Sequence, residues 1–133
     1  MMSKLIGIPF VPKGRSLNGC DCYGLNMLYY KTVLGIDIPD VVAGPSQKNM
    51  AHIEFLNHVA KNWTKLDAPI EHCVVSMKTD SHNPNLVTHH GVVVKVDGVL
   101  KILHTFRKVE SHLIDIDHIA YKNKIVGFYQ WHN

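Results

Sequence analysis

Two cysteines separated by one residue stand directly before an apolar run in the segment NGCDCYGLNMLYY, residues 18–30. Structural zinc sites usually pair their ligands as C-x2-C or H-x3-H, so the C-x-C spacing argues against a metal site. A disulfide between Cys20 and Cys22 would close a very short, strained ring. Two interpretations of Cys22 remain open at this point: a small apolar residue on the buried stripe of a helix, or a nucleophile.

The position of Cys22 favours the nucleophile. Asp21 is a suitable N-cap, and apolar residues at three- and four-residue spacing predict a helix over Asp21–Leu34. Unpaired backbone N–H groups and the helix dipole in the first turn are expected to lower the pKa of the Cys22 thiol. Cys20 lacks a helix terminus, and Cys73 lies inside an apolar strand and is predicted to be structural.

A cysteine nucleophile needs a base, and histidine is abundant, with ten in the chain. His89 and His90 begin a predicted strand, so their side chains point to opposite faces and only one can meet Cys22. Alternation slightly favours His90, whereas Gly91, on the His89 face, leaves room for another group. His104, on the next strand, is within pairing range of either and could orient the base. Its alternative is an ordinary histidine bonded to a backbone carbonyl.

The elements that position these residues follow from hydrophobic periodicity. A second helix is predicted after Ser46, with a stripe formed by Ile53, Leu56, Val59, Ala60 and Trp63. Period-two runs then predict strands, joined in one place by the hairpin signal Asp97-Gly98. These strands are Ile70–Lys78, His89–Val96, Val99–Phe106 and Lys124–Trp131, with an exposed loop over Thr79–Leu86. Helices followed by an antiparallel meander indicate an α+β fold.

The composition limits the class of protein. At 133 residues and 46% apolar content, the chain is predicted to form one domain over residues 1–133. The 14 Lys and Arg are scattered and the net charge is only +3, which argues against nucleic-acid binding. Pro9 breaks the first apolar run, so we expect neither a signal peptide nor membrane insertion. We also expect the chain to be made in a cytoplasm. Three cysteines fit reduced thiols.

A metal-binding module is a further possibility because of the histidine-rich segment HTFRKVESHLIDIDH, residues 104–118. Its eight- and six-residue histidine spacings fit no common metal clip, so a solvated surface is the favoured interpretation. The sequence therefore predicts neither a metal nor another cofactor.

The segments IGIPFVPKGRSLNGCDCYGLNMLYY and HHGVVVKVDGVLKILHT together resemble the NlpC-type cell-wall cysteine peptidases, a papain-like group. The family pattern is G-x-P-Y, then D-C-S-G-L, then H-V-G, then a histidine after a hairpin. The resemblance implies an α+β fold in which N-terminal helices pack on an antiparallel sheet. It also implies that Cys22 is the nucleophile, His89 the base and His104 the orienting residue, and so favours His89 over His90.

Three positions depart from the family pattern. Phe10 stands where many members have a tyrosine whose hydroxyl helps to hold the oxyanion, Tyr23 replaces a small serine, and Asn26 replaces a valine. Phe10, Asp21 and Tyr23 are expected to border the substrate cleft. Loss of an oxyanion donor typically costs ~10²-fold in rate or more, so the alternative is a structural protein that keeps the fold with weak or no activity.

Shorter segments, GIPF, GR, DCYGL and LGIDIPD, are similar to the phage tail subgroup of this family. The resemblance implies hydrolysis of peptidoglycan stem peptides between D-glutamate and a diamino acid. It further implies other phage tail proteins as partners and a location in the virion, at the tail tip, after synthesis in the host cytoplasm.

Overall fold

A short helix packed on an antiparallel sheet positions the candidate residues. The computed structural model describes residues 2–40, 61–82 and 84–132. A small hairpin of β1 (Arg15–Ser16) and β2 (Gly19–Cys20) precedes helix α1 (Cys22–Tyr29). The remaining strands are β3 (Trp63–Leu66), β4 (Val74–Met77), β5 (His89–Val96), β6 (Val99–Phe106), β7 (Val109–Asp115) and β8 (Ile125–Trp131). This α+β architecture is the predicted fold class.

Helix α1 begins and ends where its local sequence predicts. The Asp21 side chain accepts a hydrogen bond from the Gly24 N–H, as an N-cap does. After α1 the chain continues as a π-helical turn over Tyr30–Leu34, and Gly35 ends it in the left-handed conformation with φ 69°. The predicted extent, cap and terminator are thus confirmed, and only the last turn is wider than an α-helix.

The six long strands form one antiparallel sheet in the order β3-β8-β4-β5-β6-β7. The hairpin of β5 and β6 has the predicted bounds, because Asp97 and Gly98 both adopt the positive φ that a tight turn requires. The predicted meander is wrong for the last strand, since β8 lies between β3 and β4 instead of beside β7. β8 pairs with β3 on one edge and with β4 on the other, and these strands are far apart in sequence, so local sequence signals do not indicate the pairing.

Several predicted boundaries are corrected. Trp63 begins β3 instead of extending a helical stripe, because it pairs with Trp131 on β8; the other residues of the predicted stripe lie outside the described residues. The strand predicted from Ile70 starts only at Val74, since a turn bonds the Cys73 N–H to the Ile70 carbonyl. A short 3-10 helix, Lys122–Lys124, precedes β8, and β7 was not predicted at all.

The two faces of the sheet bury different side chains. On the face that α1 covers, Leu25 and Tyr29 of the helix lie in one cluster with Val92, Val94 and Leu103. The other face buries a second cluster around Val75, Met77, Ile102 and Ile114. No helix within the described ranges is long and apolar enough to cross a bilayer. Helix α1 therefore lies directly on β5, the strand that carries both candidate bases.

Candidate active site

Cys22 is brought to the beginning of β5 by the packing of α1. The residue is half-buried, its sulfur is enclosed, and the sulfur interacts with the backbone N–H groups of Tyr23 and His90. The Asn26 side chain donates a hydrogen bond of 3.3 Å to the Gly91 carbonyl and ties the helix to this strand. Asn26, noted in the sequence only as a departure from an apolar position, thus helps to place the nucleophile candidate.

The residues around Cys22 explain the D-C-x-G-L pattern physically. Asp21 accepts hydrogen bonds from the Gly24 and Lys13 N–H groups at 2.8 and 3.1 Å, and Arg15 binds its carboxylate at 2.6 Å. At Gly24, an added Cβ would collide with the Gly14 carbonyl, so only glycine allows the loop before the helix to approach so closely. Asp21 therefore fixes the start of the helix rather than acting on the thiol as a base.

The pKa expected for Cys22 from its helix position is wrong. Burial and, secondly, the nearby Asp21 carboxylate raise the pKa of the Cys22 thiol to about 12. Hydrogen bonds from backbone N–H groups and the Arg15 charge lower the pKa, but burial dominates. Cys22 is therefore a neutral thiol at rest and needs a proton acceptor to become a nucleophile.

His89 and His104 form a buried pair. Their ring atoms Nε2 and Nδ1 lie 2.8 Å apart, and only 5% of His89 and 0% of His104 is exposed. Burial and the neighbouring imidazoles lower the pKa of His89 well below 6.5 and that of His104 to about 3. The predicted pairing range is confirmed. The interpretation of His104 as a histidine bonded to a backbone carbonyl is wrong, because its ring nitrogens meet two other histidines.

His112 is the member of this cluster that sequence reasoning missed. It pairs with His104 across β6 and β7, with 3.1 Å between their Nε2 atoms, and its Nδ1 lies 2.7 Å from the Glu110 carbonyl oxygen. The interpretation of this segment as solvated surface is therefore wrong for His112, which is half-buried. The sequence signal that was available is the strand-like alternation in KVESHLID. The turn before this strand contains no glycine, so the usual hairpin signal is missing. Within the described residues, no three His, Cys, Asp or Glu side chains are grouped as a metal site.

His90 faces α1, as strand alternation predicts, whereas His89 and His104 point to the opposite face of the sheet, together with Met77 and Ile102. Its ring lies edge-on to Tyr23 with 5.9 Å between centroids, and its Nδ1 is 2.9 Å from the Ser76 hydroxyl. The Tyr23 hydroxyl in turn donates to the Pro39 carbonyl at 2.7 Å. The amide that interacts with the Cys22 sulfur joins His89 to His90, so the thiol lies level with both residues.

A cleft of about 320 Å³ opens on the face of the sheet that carries His89, opposite α1, and Cys22 is not among the described residues that line it. It is lined by Thr79, His89, Phe106, Ala120, Tyr121 and Lys124. Of the three residues expected to border a cleft, Tyr23 packs between α1 and β5, and Asp21 caps the helix. Phe10 is half-buried and its backbone pairs with Cys20, two residues before the thiol. The cleft walls come from strand ends and loops that the sequence pattern did not group.

Comparisons with known proteins identify the fold. No family model matches the chain, and no curated protein matches it. It is similar to the solved structure of NlpC1 from Trichomonas vaginalis, with a TM-score of 0.68 and 20% identity over 96% of this chain and 41% of that one. It is also similar to a Staphylococcus aureus protein described as similar to lipoprotein, NLP/P60 family, with a TM-score of 0.65 and 17% identity over 99% of this chain and 40% of that one.

The chain thus has the papain-like α+β fold of NlpC/P60 proteins, as the resemblance implied. It spans about two fifths of the length of each of these two proteins.

Gly91 is expected to be intolerant of any side chain. An added Cβ would lie 2.8 Å from Ile102 Cγ2, 3.0 Å from the Leu103 carbonyl oxygen and 3.2 Å from His104 Cβ. Gly91→Ala should therefore push β6 away and lower the free energy of unfolding by ~1–3 kcal/mol in urea titration. Lys95→Ala, at an exposed position of the same strand, is the control. An unchanged midpoint for Gly91→Ala would contradict this packing.

Stability should fall as the pH falls below 6.5, because the folded state keeps His89 and His104 neutral whereas the unfolded chain protonates them. At pH 5 each ring should lower the free energy of unfolding by about 2 kcal/mol relative to pH 7.5, given an unfolded pKa near 6.5. Urea titrations at both pH values measure the change. The variant His104→Leu should lose the part of this pH-dependent decrease that the His104 ring contributes. Equal stability of the wild type at both pH values would contradict buried neutral rings.

Proposed function

We propose that this protein is a cysteine peptidase that hydrolyses amide bonds of peptidoglycan stem peptides, with Cys22 as nucleophile, His89 as base and His104 as orienting residue. The proposal is carried by the contact between the Cys22 sulfur and the amide that joins His89 to His90; the His89 and His104 rings, 2.8 Å apart, lie on the face of the sheet opposite α1. The bond between these rings uses the His89 Nε2 and leaves its Nδ1 unbonded to His104. Because His90 is the histidine that faces α1, the assignment of His89 as base rests on the family resemblance, and the comparison of His89→Gln with His90→Gln tests it. The shared NlpC/P60 fold supports the substrate class.

The reaction follows from the protonation states of these groups. Because Cys22 rests as a thiol and His89 as a neutral imidazole, the Cys22 proton passes to His89 Nδ1 as the sulfur bonds to the amide carbon. The backbone N–H of Cys22, in the first turn of α1, is the proposed donor to the oxyanion. The amide C–N bond then breaks, and the amine takes the proton from His89. Water hydrolyses the thioester and restores the thiol.

The proposed substrate bond joins D-glutamate to the diamino acid of the stem peptide, as the family resemblance implies. The test is incubation with purified muropeptides and detection of products by liquid chromatography and mass spectrometry. The expected product carries a new amino terminus on the diamino acid. No product at enzyme concentrations equal to the substrate would overturn the proposal.

We further propose that the protein acts as a phage tail-tip component, with other tail proteins as partners. The support is the similarity of GIPF, GR, DCYGL and LGIDIPD to the phage tail subgroup. Mass spectrometry of purified virions that carry this gene should detect its peptides in the tail fraction. Their absence from virions would exclude this location without affecting the proposed chemistry.

A second candidate function, a structural tail protein without turnover, is favoured by two observations. The pKa of the Cys22 thiol is raised to about 12, and Phe10 supplies no hydroxyl near the site. An inert scaffold would keep the same fold and the same packing of α1 on β5. The two functions differ in whether His89 takes the thiol proton.

Alkylation by iodoacetamide at pH 7.5 separates the two functions. An unassisted Cys22 thiol, with its pKa raised to about 12, should be alkylated slowly, and Cys20 and Cys73 are buried and have raised pKa values of about 11. If His89 takes the proton, Cys22 should instead react first, and His89→Gln should abolish this advantage. Peptide mapping by mass spectrometry measures the order. Slow alkylation of Cys22, unchanged in His89→Gln, would favour the scaffold.

A further inference from the structure

Three histidine rings form a hydrogen-bonded series across β5, β6 and β7 that ends on a backbone carbonyl. The His89 Nε2 lies 2.8 Å from the His104 Nδ1, and the His104 Nε2 lies 3.1 Å from the His112 Nε2. The series ends where the His112 Nδ1 lies 2.7 Å from the Glu110 carbonyl oxygen. His112 is not part of the three-residue site proposed above.

The carbonyl at the end of the series determines where every proton lies. A carbonyl oxygen can only accept, so the His112 Nδ1 carries a hydrogen and its Nε2, in a neutral ring, is a bare acceptor. The His104 Nε2 must then donate to that nitrogen, which leaves the His104 Nδ1 bare. The His89 Nε2 donates to it in turn, and the His89 Nδ1 is left as an unprotonated lone pair.

Packing holds the three rings in this arrangement. His89 and His104 are almost completely buried, and an added Cβ at Gly91 would touch the His104 Cβ, so glycine makes the space for that ring. The Tyr121 ring lies edge-on to His104 with 5.1 Å between centroids. Burial lowers the pKa of His89 and of His104, which keeps both rings neutral at pH 7. A buried ring N–H without an acceptor would be costly, so the tautomers of neighbouring rings are coupled.

We propose that His112 is a positioning residue: anchored on the Glu110 carbonyl, it fixes the tautomer of His104 and, through it, that of His89. Its effect is to keep the lone pair on His89 Nδ1, the nitrogen to which the proposed function assigns the thiol proton. The catalytic consequence rests on the proposed function above. The tautomers themselves do not, because they are a property of the protein without substrate.

The first test is ¹⁵N NMR of histidine-labelled protein at pH 7.5, using long-range ¹H–¹⁵N correlations that distinguish protonated from bare ring nitrogens. We expect a hydrogen on Nδ1 of His112 and on Nε2 of both His104 and His89. A hydrogen on the His112 Nε2, or on the His89 Nδ1, would overturn the proposal. This measurement needs no variant and no activity.

Two variants test the coupling. His112→Leu removes the acceptor, so His104 and His89 should lose their single tautomer and show hydrogens on Nδ1. His112→Gln places an amide oxygen near the position of the lost Nε2 and should restore the wild-type pattern. Lys101→Gln, which breaks a 2.7 Å ion pair between β6 and β7 away from the rings, is the control and should leave the tautomers unchanged. Wild-type tautomers in His112→Leu would overturn the proposal.

Kinetics on muropeptides separates this inference from the proposed function. His112→Leu should lower kcat by roughly 10- to 100-fold with little change in KM, as for other groups that orient a reacting ring from behind, and His112→Gln should recover most of the rate. Correct tautomers without any hydrolysis by the wild type would refute the proposed function and leave the positioning intact. Full activity of His112→Leu would refute the catalytic role of His112 in a protein that still hydrolyses its substrate.

Discussion

Replacing Cys22 by alanine is expected to lower the rate of stem-peptide hydrolysis by ~10⁴-fold or more, because the proposed nucleophile is removed. The fold should be retained, since Cys22 lies in the first turn of α1 and the helix start is held by the Asp21 cap and its ion pair with Arg15. Product formation from muropeptides measures the loss, and circular dichroism at pH 7.5 checks the fold.

Cys73→Ala is the matched control for Cys22→Ala. It also removes one thiol, but from a buried position just before β4. We expect lower stability and near-normal turnover from this variant. Equal product from wild type and Cys22→Ala would remove Cys22 as nucleophile and leave the scaffold function.

Replacing His89 by glutamine is expected to cost a similar factor, about 10⁴-fold, because the proposed acceptor of the thiol proton is then removed. His90→Gln, one residue along the same strand, should retain most of the activity. The two histidines are an unusually close pair for such a comparison, since the Cys22 sulfur interacts with the amide that joins them. Steady-state kinetics on the same muropeptides measures both variants.

The opposite result, loss in His90→Gln and activity in His89→Gln, would make His90 the base. The lone pair would then come from the ring that bonds Ser76 and packs on Tyr23. The imidazole series of His89, His104 and His112 would have a structural role only. Strand alternation slightly favoured His90, and this outcome would mean that the histidine on the α1 side of β5 takes the thiol proton.

Much of the fold could be predicted because its signals are local. The Asp21 cap and Gly35 terminator define the helix that carries Cys22. The Asp97-Gly98 turn defines the hairpin of β5 and β6, and with it the approach of His89 to His104. These features depend on residues close together in sequence, where backbone preference and side-chain type decide the conformation.

The elements that were missed have weak local signals. The turn before β7 contains Lys108 at φ 69°, a left-handed conformation that lysine rarely adopts and that composition therefore does not indicate. Without that turn, His112 could not be placed opposite His104. Likewise, Trp63 fits a helical stripe, and only its pairing with Trp131 on β8 makes it a strand residue.

The sequence alone therefore determined which residues carry the candidate chemistry: a thiol at a capped helix start, two histidines opening a strand and a third across a tight hairpin. Only the tertiary structure decided that β8 enters the sheet between β3 and β4, that burial raises the pKa of Cys22, and that His112 completes a series of rings ending on the Glu110 carbonyl. The physical reason is that caps, turns and periodicity act over a few residues, whereas strand order, desolvation and ring-to-ring hydrogen bonds depend on segments far apart in the chain.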